Sequence, residues 1–151
     1  MVRFKNRYLL CELNYSSAGA PTHLLSPRAL LQAIKSSLAL NFGDAGSAQA
    51  LPSLSIKYFS PILSLAIVRA SRDIHRTVWA AITLINHVRV GEVEMGLCVR
   101  VVHLGGTIGS CQKAAAAFAA ETLKRVSGGK AGERVKAAAE HAWRTLGEIK
   151  G

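Results

Sequence analysis

Residues 103–113 read His-Leu-Gly-Gly-Thr-Ile-Gly-Ser-Cys-Gln-Lys, a glycine-rich turn set between an apolar run and an alanine-rich one. No other stretch constrains the fold as much, because it requires a strand to pass directly into a helix. Leu97-Cys98-Val99-Arg100-Val101-Val102 is β-branched and apolar enough for a strand, and residues 112–126 are strong helix formers. Between them, Gly105, Gly106 and Gly109 can take positive φ without a Cβ clash, and Thr107 and Ser110 can cap a helix start. Unpaired N–H groups at a helix N-terminus attract anions, so the corner can hold a phosphate with Lys113 reaching over it. The same features describe an ordinary capped strand-to-helix turn. The chain has no Gly-Lys-Ser/Thr of a P-loop and no G-x-G-x-x-G.

The rest of the chain supplies elements of both kinds. Near the N-terminus Arg3, Lys5 and Arg7 alternate with Val2, Phe4, Tyr8 and Leu10, the period-two pattern of a strand carrying a basic comb. Ser26-Pro27 offers an N-cap followed by proline at the first helical position. Leu30, Leu31, Ile34 and Leu38 then recur at helical spacing, predicting a helix over 27–42 and a small-residue loop over 43–53. Apolar runs at 54–59 and 62–69, separated by Ser60-Pro61, read as a tight antiparallel hairpin. A second helix fits 72–87, with Ser71 as cap and Ile74, Val78, Ala81, Ile82 and Ile85 as its apolar stripe. After a break at Gly91, residues 93–104 give a fourth strand, and a helix over 109–126 stops at Ser127-Gly128-Gly129. Residues 130–149 predict a separate surface helix. The order β-α-β-β-α-β followed by two helices predicts an α+β, ferredoxin-like fold with a four-stranded antiparallel sheet. Its first two helices would share one face. Residues 1–126 would form the domain, and 127–151 a C-terminal surface extension.

Charge sets the class of partner. Nineteen Lys and Arg face nine acids, giving a formal net charge of +10. Such an excess favours polyanions through counterion release, with nucleic acid ahead of an anionic membrane surface. The N-terminal apolar run is too short for a signal peptide, and Ser64 and Arg69 interrupt the longest apolar stretch. The chain is therefore expected to keep its first residue and to stay out of the bilayer. Cys11, Cys98 and Cys111 each lie in apolar settings, so all three are expected to be buried thiols without a disulfide.

Two motifs together carry a family resemblance. Val2-Arg3-Phe4-Lys5-Asn6-Arg7-Tyr8-Leu9-Leu10-Cys11-Glu12-Leu13, with His103-Leu104-Gly105-Gly106-Thr107-Ile108 and Ser110-Cys111-Gln112-Lys113, closely resembles the Pop-five family of ribonuclease P and ribonuclease MRP protein subunits. Val78-Trp79-Ala80-Ala81-Ile82 is similar to a helix of the same family, so the likeness spans most of residues 1–126 and fades beyond. The resemblance implies a noncatalytic, ferredoxin-like RNA-binding subunit supporting a catalytic RNA that removes the 5′ leader of precursor tRNA. No cofactor is implied on the protein; Mg²⁺ is expected on the RNA. The implied partners are the catalytic RNA, the MRP RNA, a related small ferredoxin-like subunit, the TIM-barrel-like Rpp-thirty subunit and, in eukaryotes, the large Pop-one subunit. Precursor tRNA would be met indirectly. Residence would be nuclear or nucleolar in a eukaryote and cytoplasmic in an archaeon. Two departures stand out: Gly109 occupies a position that is basic in many members, and the C-terminus is not the acidic tail some relatives carry.

Arg3, Lys5 and Arg7 would stand about 7 Å apart on one strand face, a comb suited to backbone phosphates. With the resemblance, RNA contact is the preferred reading over a solvated edge. Arg69, Arg72 and Arg76, with His75, gather where a strand gives way to helix two and form a second candidate phosphate surface; ordinary helix-surface charge is the alternative. Tyr8 and Phe4 share a face with Val2 and Leu10, which favours the core over base stacking. Trp79 and Trp143 are candidate anchors for a protein partner, with core packing the alternative for Trp79. Cys98, His103 and Cys111 match no zinc spacing, and the acids show no paired arrangement, so neither a metal site nor an enzyme is expected. The rival to the RNA-binding subunit is an assembly module that dimerises with a related small subunit without touching RNA.

Overall fold

The computed structural model describes residues 5–16 and 24–126, together with Ala137, Glu140 and Arg144. Strand β1 (Asn6–Tyr15) lies at the centre. Leu9, Leu10 and Cys11 are consecutive and fully buried, which a strand achieves only when both its faces are covered. Helix α1 (Pro27–Ala50) follows, then β2 (Ser55–Ser60), β3 (Leu65–Ser71), α2 (His75–Thr83), β4 (His87–Val90), β5 (Val93–Gly105) and α3 (Ile108–Val126). The strands form one antiparallel sheet in the order β2-β3-β1-β5-β4.

Each face has its own core. Leu9, Cys11 and Leu13 of β1 pack with Leu30, Ile34 and Leu38 of α1 and Val78, Ala81 and Ile82 of α2. Tyr8 and Leu10, pointing the opposite way, pack with Leu65 and Ile67 of β3 and with Ile108, Cys111 and Ala115 of α3. The first two helices thus share a face, as expected, and both helical stripes are buried as read except Leu31, which is partly buried against the same core. Ser26 caps α1, its Oγ accepting from Ala29 N–H at 3.1 Å.

The sheet has five strands rather than four. Residues 87–90, of which only His87 falls within the helix expected over 72–87, form a strand that pairs with 93–96 across a turn at Gly91, whose φ of 63° suits glycine. Consequently α2 ends at Thr83, and it begins at His75 with no side-chain cap. Ser71, expected to cap it, instead closes β3 and donates its N–H to Ser53 Oγ at 2.9 Å. The loop expected over 43–53 is largely helix: α1 kinks at Gly43 (φ 64°) and continues to the fully buried Ala50. Ala45, Ala48 and Ala50 are good helix formers, and packing of Ala50 and Leu54 holds the second segment in place. The β2–β3 turn takes residues 61–64 rather than Ser60-Pro61, with Ser60 Oγ accepting from Leu63 N–H.

Of the C-terminal segment expected to be a surface helix, residues 127–151, only Ala137, Glu140 and Arg144 are described, each helical and exposed; the rest lies outside the described residues.

Candidate nucleic-acid interface

One end of the sheet collects the sequence-distant cations. β1 starts there, β3 and β5 end there, and α2 and α3 start there. The Arg72 N–H donates to the Lys5 carbonyl at 2.8 Å, which ties the β3–α2 turn to the start of β1. Arg7, half-buried, points to the same face as Leu9, and its guanidinium donates to the Asn6 carbonyl at 3.2 Å. Its Nη1 stands 3.5 Å from where a Cβ on Gly106 would lie, so it flanks the glycine corner. Arg76, on the first turn of α2, is exposed. None of Lys5, Arg7, Arg69, Arg72 or Arg76 forms an ion pair with an acid among the described residues. Arg100 pairs elsewhere with Glu12 at 2.8 Å, and His87 Nε2 lies 3.7 Å from Glu94 across the β4–β5 hairpin.

The corner is a capped strand-to-helix junction. Thr107 is the cap of α3, its Oγ1 accepting from Ser110 N–H at 3.3 Å. Ser110 Oγ lies 3.0 Å from His103 Nε2, and the Cys111 thiol donates to the Tyr8 carbonyl at 3.2 Å. Neither Gly105, Gly106 nor Gly109 has positive φ, so conformational freedom is not what the corner asks of its glycines. Gly105 is buried, and a methyl there would meet Cys111 Sγ at 3.1 Å and Ser110 Oγ at 3.2 Å. Its requirement is space beneath the first turn of α3. Lys113 is exposed, six residues past the cap and therefore about 9 Å along the helix axis.

The remaining expected site residues are sorted by the fold. Arg69 lies on the α3 side of the sheet, between Tyr8 and Ser55, with Nε directed at the Ser53 carbonyl at 3.5 Å. It is thus separated from Arg7, which points to the opposite face. Lys5 and Arg7 do not continue as a comb, because the following residues of that face are core. Tyr8 is core, as read. Trp79 is not: it keeps 37% of its surface exposed. Arg3, Phe4 and Trp143 lie outside the described residues. Cys11 and Cys111 are buried, and burial pushes their thiols up to about 12 and about 11. Cys98 is exposed opposite Asn14, correcting the expectation for that thiol: it belongs to the outward half of the alternation with buried Leu97 and Val99. The three metal-capable residues Cys98, His103 and Cys111 are not brought together as a ligand set, and no group of three His, Cys, Asp or Glu suited to a metal occurs among the described residues.

A profile of the Rpp14/Pop5 family matches residues 7–116, which include all of β1 but its first residue, the corner, and Arg7, Arg72 and Arg76 of the cationic end. The chain belongs to the Rpp14/Pop5 family. It is 39% identical over 121 residues to a probable ribonuclease P/MRP protein subunit POP5 of Arabidopsis thaliana, covering 76% of this chain and 77% of the relative. Against the ribonuclease P/MRP protein subunit POP5 of Schizosaccharomyces pombe it is 40% identical over 123 residues, covering 76% and 86%. For the human POP5 subunit the figures are 30% over 113 residues, 75% and 69%. A chain in a cryo-EM structure of yeast ribonuclease MRP shares the fold at a TM-score of 0.55 and 13% identity, over 72% of this chain and 79% of that one.

Two features of this Rpp14/Pop5 member were not read from its sequence. A bulge places Val102 between the pairs Leu10–His103 and Cys11–Val101, so that Val102 and His103 both lie on the α3 side and His103 meets Ser110. A shallow groove lined by His75, Arg76, Trp79, Ala80 and Leu104 opens beside the corner. The four α2 residues lie at i, i+1, i+4 and i+5, a spacing that carried a signal for the groove, but only the fold places Leu104 under them.

Proposed function

We propose that this chain is a protein subunit of ribonuclease P, shared with ribonuclease MRP, which binds the RNA of the particle. The RNA, with its Mg²⁺, removes the 5′ leader of precursor tRNA, and the chain positions and neutralises RNA backbone without taking part in the chemistry. The observation that carries this reading is the convergence of Lys5, Arg7, Arg72 and Arg76, without acid partners among the described residues, around the Thr107-capped corner in an Rpp14/Pop5 family member. Clustered cations beside a helix N-terminus lower the repulsion between phosphates that a folded RNA must bring together. The order β5-β1-β3-β2, with α1 and α2 on one face, supports a ferredoxin-like core to which β4 adds an edge strand. The eukaryotic sources of the relatives support nuclear residence.

The test is affinity purification of the tagged chain from its own cell, with sequencing of copurifying RNA and a precursor-tRNA cleavage assay. Recovery of one structured noncoding RNA together with 5′-leader cleavage is the expected result; recovery of protein without such RNA overturns it. A second role in assembly is favoured by Leu40 and Leu84, 86% and 56% exposed, which line a groove between α1 and the α2–β4 connection. A neighbouring protein subunit, such as a related small subunit, would cover them. Crosslinks to protein but none to RNA in the assembled particle would make this the principal role.

A further inference from the structure

Trp79 is a large indole left 37% exposed on a helix whose neighbouring residues Val78, Ala81 and Ile82 are completely buried. It shares its face of α2 with His75 and Arg76, and with Ala80 these residues form a groove floored by Leu104 of β5. Leu104 pairs with Leu9, two positions from Arg7, and lies two positions from Gly106, about 7 Å along the strand. The groove therefore adjoins the Arg7–Gly106 corner directly. His75 Nδ1 lies 2.5 Å from the Arg72 carbonyl. A carbonyl only accepts, so Nδ1 carries the hydrogen and Nε2 of the neutral ring is left as an acceptor.

We propose that this groove takes one unpaired RNA nucleotide, its base stacked on Trp79, its phosphate neighbours held by Arg76 and Arg7, and His75 Nε2 accepting from a base amine or the 2′-hydroxyl. The proposal rests on the RNA-binding reading and narrows it to a single-stranded or looped segment. A flat indole with a small apolar floor of Ala80 and Leu104 matches one ring rather than the ridge of a protein helix. Among the described residues no acid lines the groove, which suits a polyanion. An internal base pair has both faces occupied by its neighbours in the stack and cannot lie on the indole, so the interior of a duplex is excluded.

The test uses the full chain with Trp143→Phe, leaving Trp79 as the sole indole, titrated with a short mixed-sequence oligoribonucleotide and with the same sequence embedded in a long duplex, whose terminal pairs are few. Saturable quenching of Trp79 fluorescence by the single strand and none by the duplex is expected, and this measurement needs no change at position 79. In the same background Trp79→Leu should weaken single-strand binding about tenfold, and Trp79→Phe much less. Equal quenching by duplex, or unaltered single-strand affinity in Trp79→Leu, overturns the groove. If Lys5→Ala/Arg7→Ala still weakens binding in that case, the groove fails while the RNA-binding subunit stands; if the parent chain binds neither RNA, both fall. Loss of a copurifying protein from Trp79→Leu with RNA affinity intact would overturn the proposal in favour of a protein ligand.

Discussion

Adding one methyl group at Gly105 should separate the structural demand of the corner from its binding role. The backbone there is not in the left-handed region, so Gly105→Ala meets no φ penalty. Its cost is packing: the new Cβ would sit 3.1 Å from Cys111 Sγ and 3.2 Å from both Cβ and Oγ of Ser110. Neither neighbour is free to retreat, because the Cys111 thiol donates to the Tyr8 carbonyl and Ser110 Oγ is bonded to His103. Overpacking of this kind costs about 1–3 kcal/mol. Against it stands the smaller unfolded-state entropy of alanine, which returns about 0.4–1 kcal/mol. The net expectation is a loss of about 1–2 kcal/mol, equivalent to roughly 4 °C in Tm for a chain of this length. Gly106→Ala is the control: its Cβ would meet only Arg7 Nη1 at 3.5 Å, the mobile end of a long side chain, so its stability should stay within about 0.5 kcal/mol of the parent. Urea unfolding followed by circular dichroism, with m compared between variants, measures both. Parent-like stability in Gly105→Ala, or a larger loss in Gly106→Ala, would refute the packing argument.

Lys5→Ala/Arg7→Ala should weaken RNA binding and flatten the plot of log affinity against log salt by about 1.4–1.8, two phosphate contacts at about 0.7–0.9 each; an unchanged slope removes both residues from the interface. Thr107→Ala should cost about 0.5–1 kcal/mol through loss of the α3 cap, at the lower end of the usual range because the 3.3 Å bond is long, and Thr107→Ser should retain most of it. Equal losses in the two variants would mean that the hydroxyl is not the cap. Native thiol labelling at mildly alkaline pH should modify Cys98 rapidly and leave Cys11 and Cys111 until unfolding, since burial holds their pKa values near 12 and 11. The raised folded values also set a pH dependence: both thiols are neutral in folded and unfolded chains below their ordinary value of 9.0, so they leave stability unchanged there. As pH rises above 9.0 the unfolded chain ionises first, and their contribution to stability falls progressively toward pH 11–12. Unfolding curves of Cys11→Ala/Cys111→Ala should show a shallower alkaline decline.

Where a pattern was local, the chain specified its own structure. Ser26-Pro27 fixes the start of α1 because cap and proline act within one turn, and the stripe Ile74, Val78, Ala81, Ile82 and Ile85 dictates which side of that segment is buried. Thr107 and the alanine-rich run after it likewise determine a capped strand-to-helix junction, and the motifs of β1 and the corner determine the family. The β4 strand was also legible in principle, since Val88 and Val90 mirror Val93 and Met95 across Gly91-Glu92, but three residues between a helix expected to end at His87 and the break at Gly91 are too few to signal a strand by periodicity. Tertiary structure alone decided the rest. Alternation in β1 cannot reveal that Leu9 to Cys11 are buried on both sides, because that depends on α3 folding back over the second face. The same packing places Arg69 on one face and Arg7 on the other, buries Cys111 while exposing Cys98, and brings Leu104 beneath His75, Arg76 and Trp79. Residue types and their local spacing set the elements and the excess of positive charge; only the antiparallel register of β1, β3 and β5 gathers that charge at one end of the sheet, because it alone joins segments nearly a hundred residues apart.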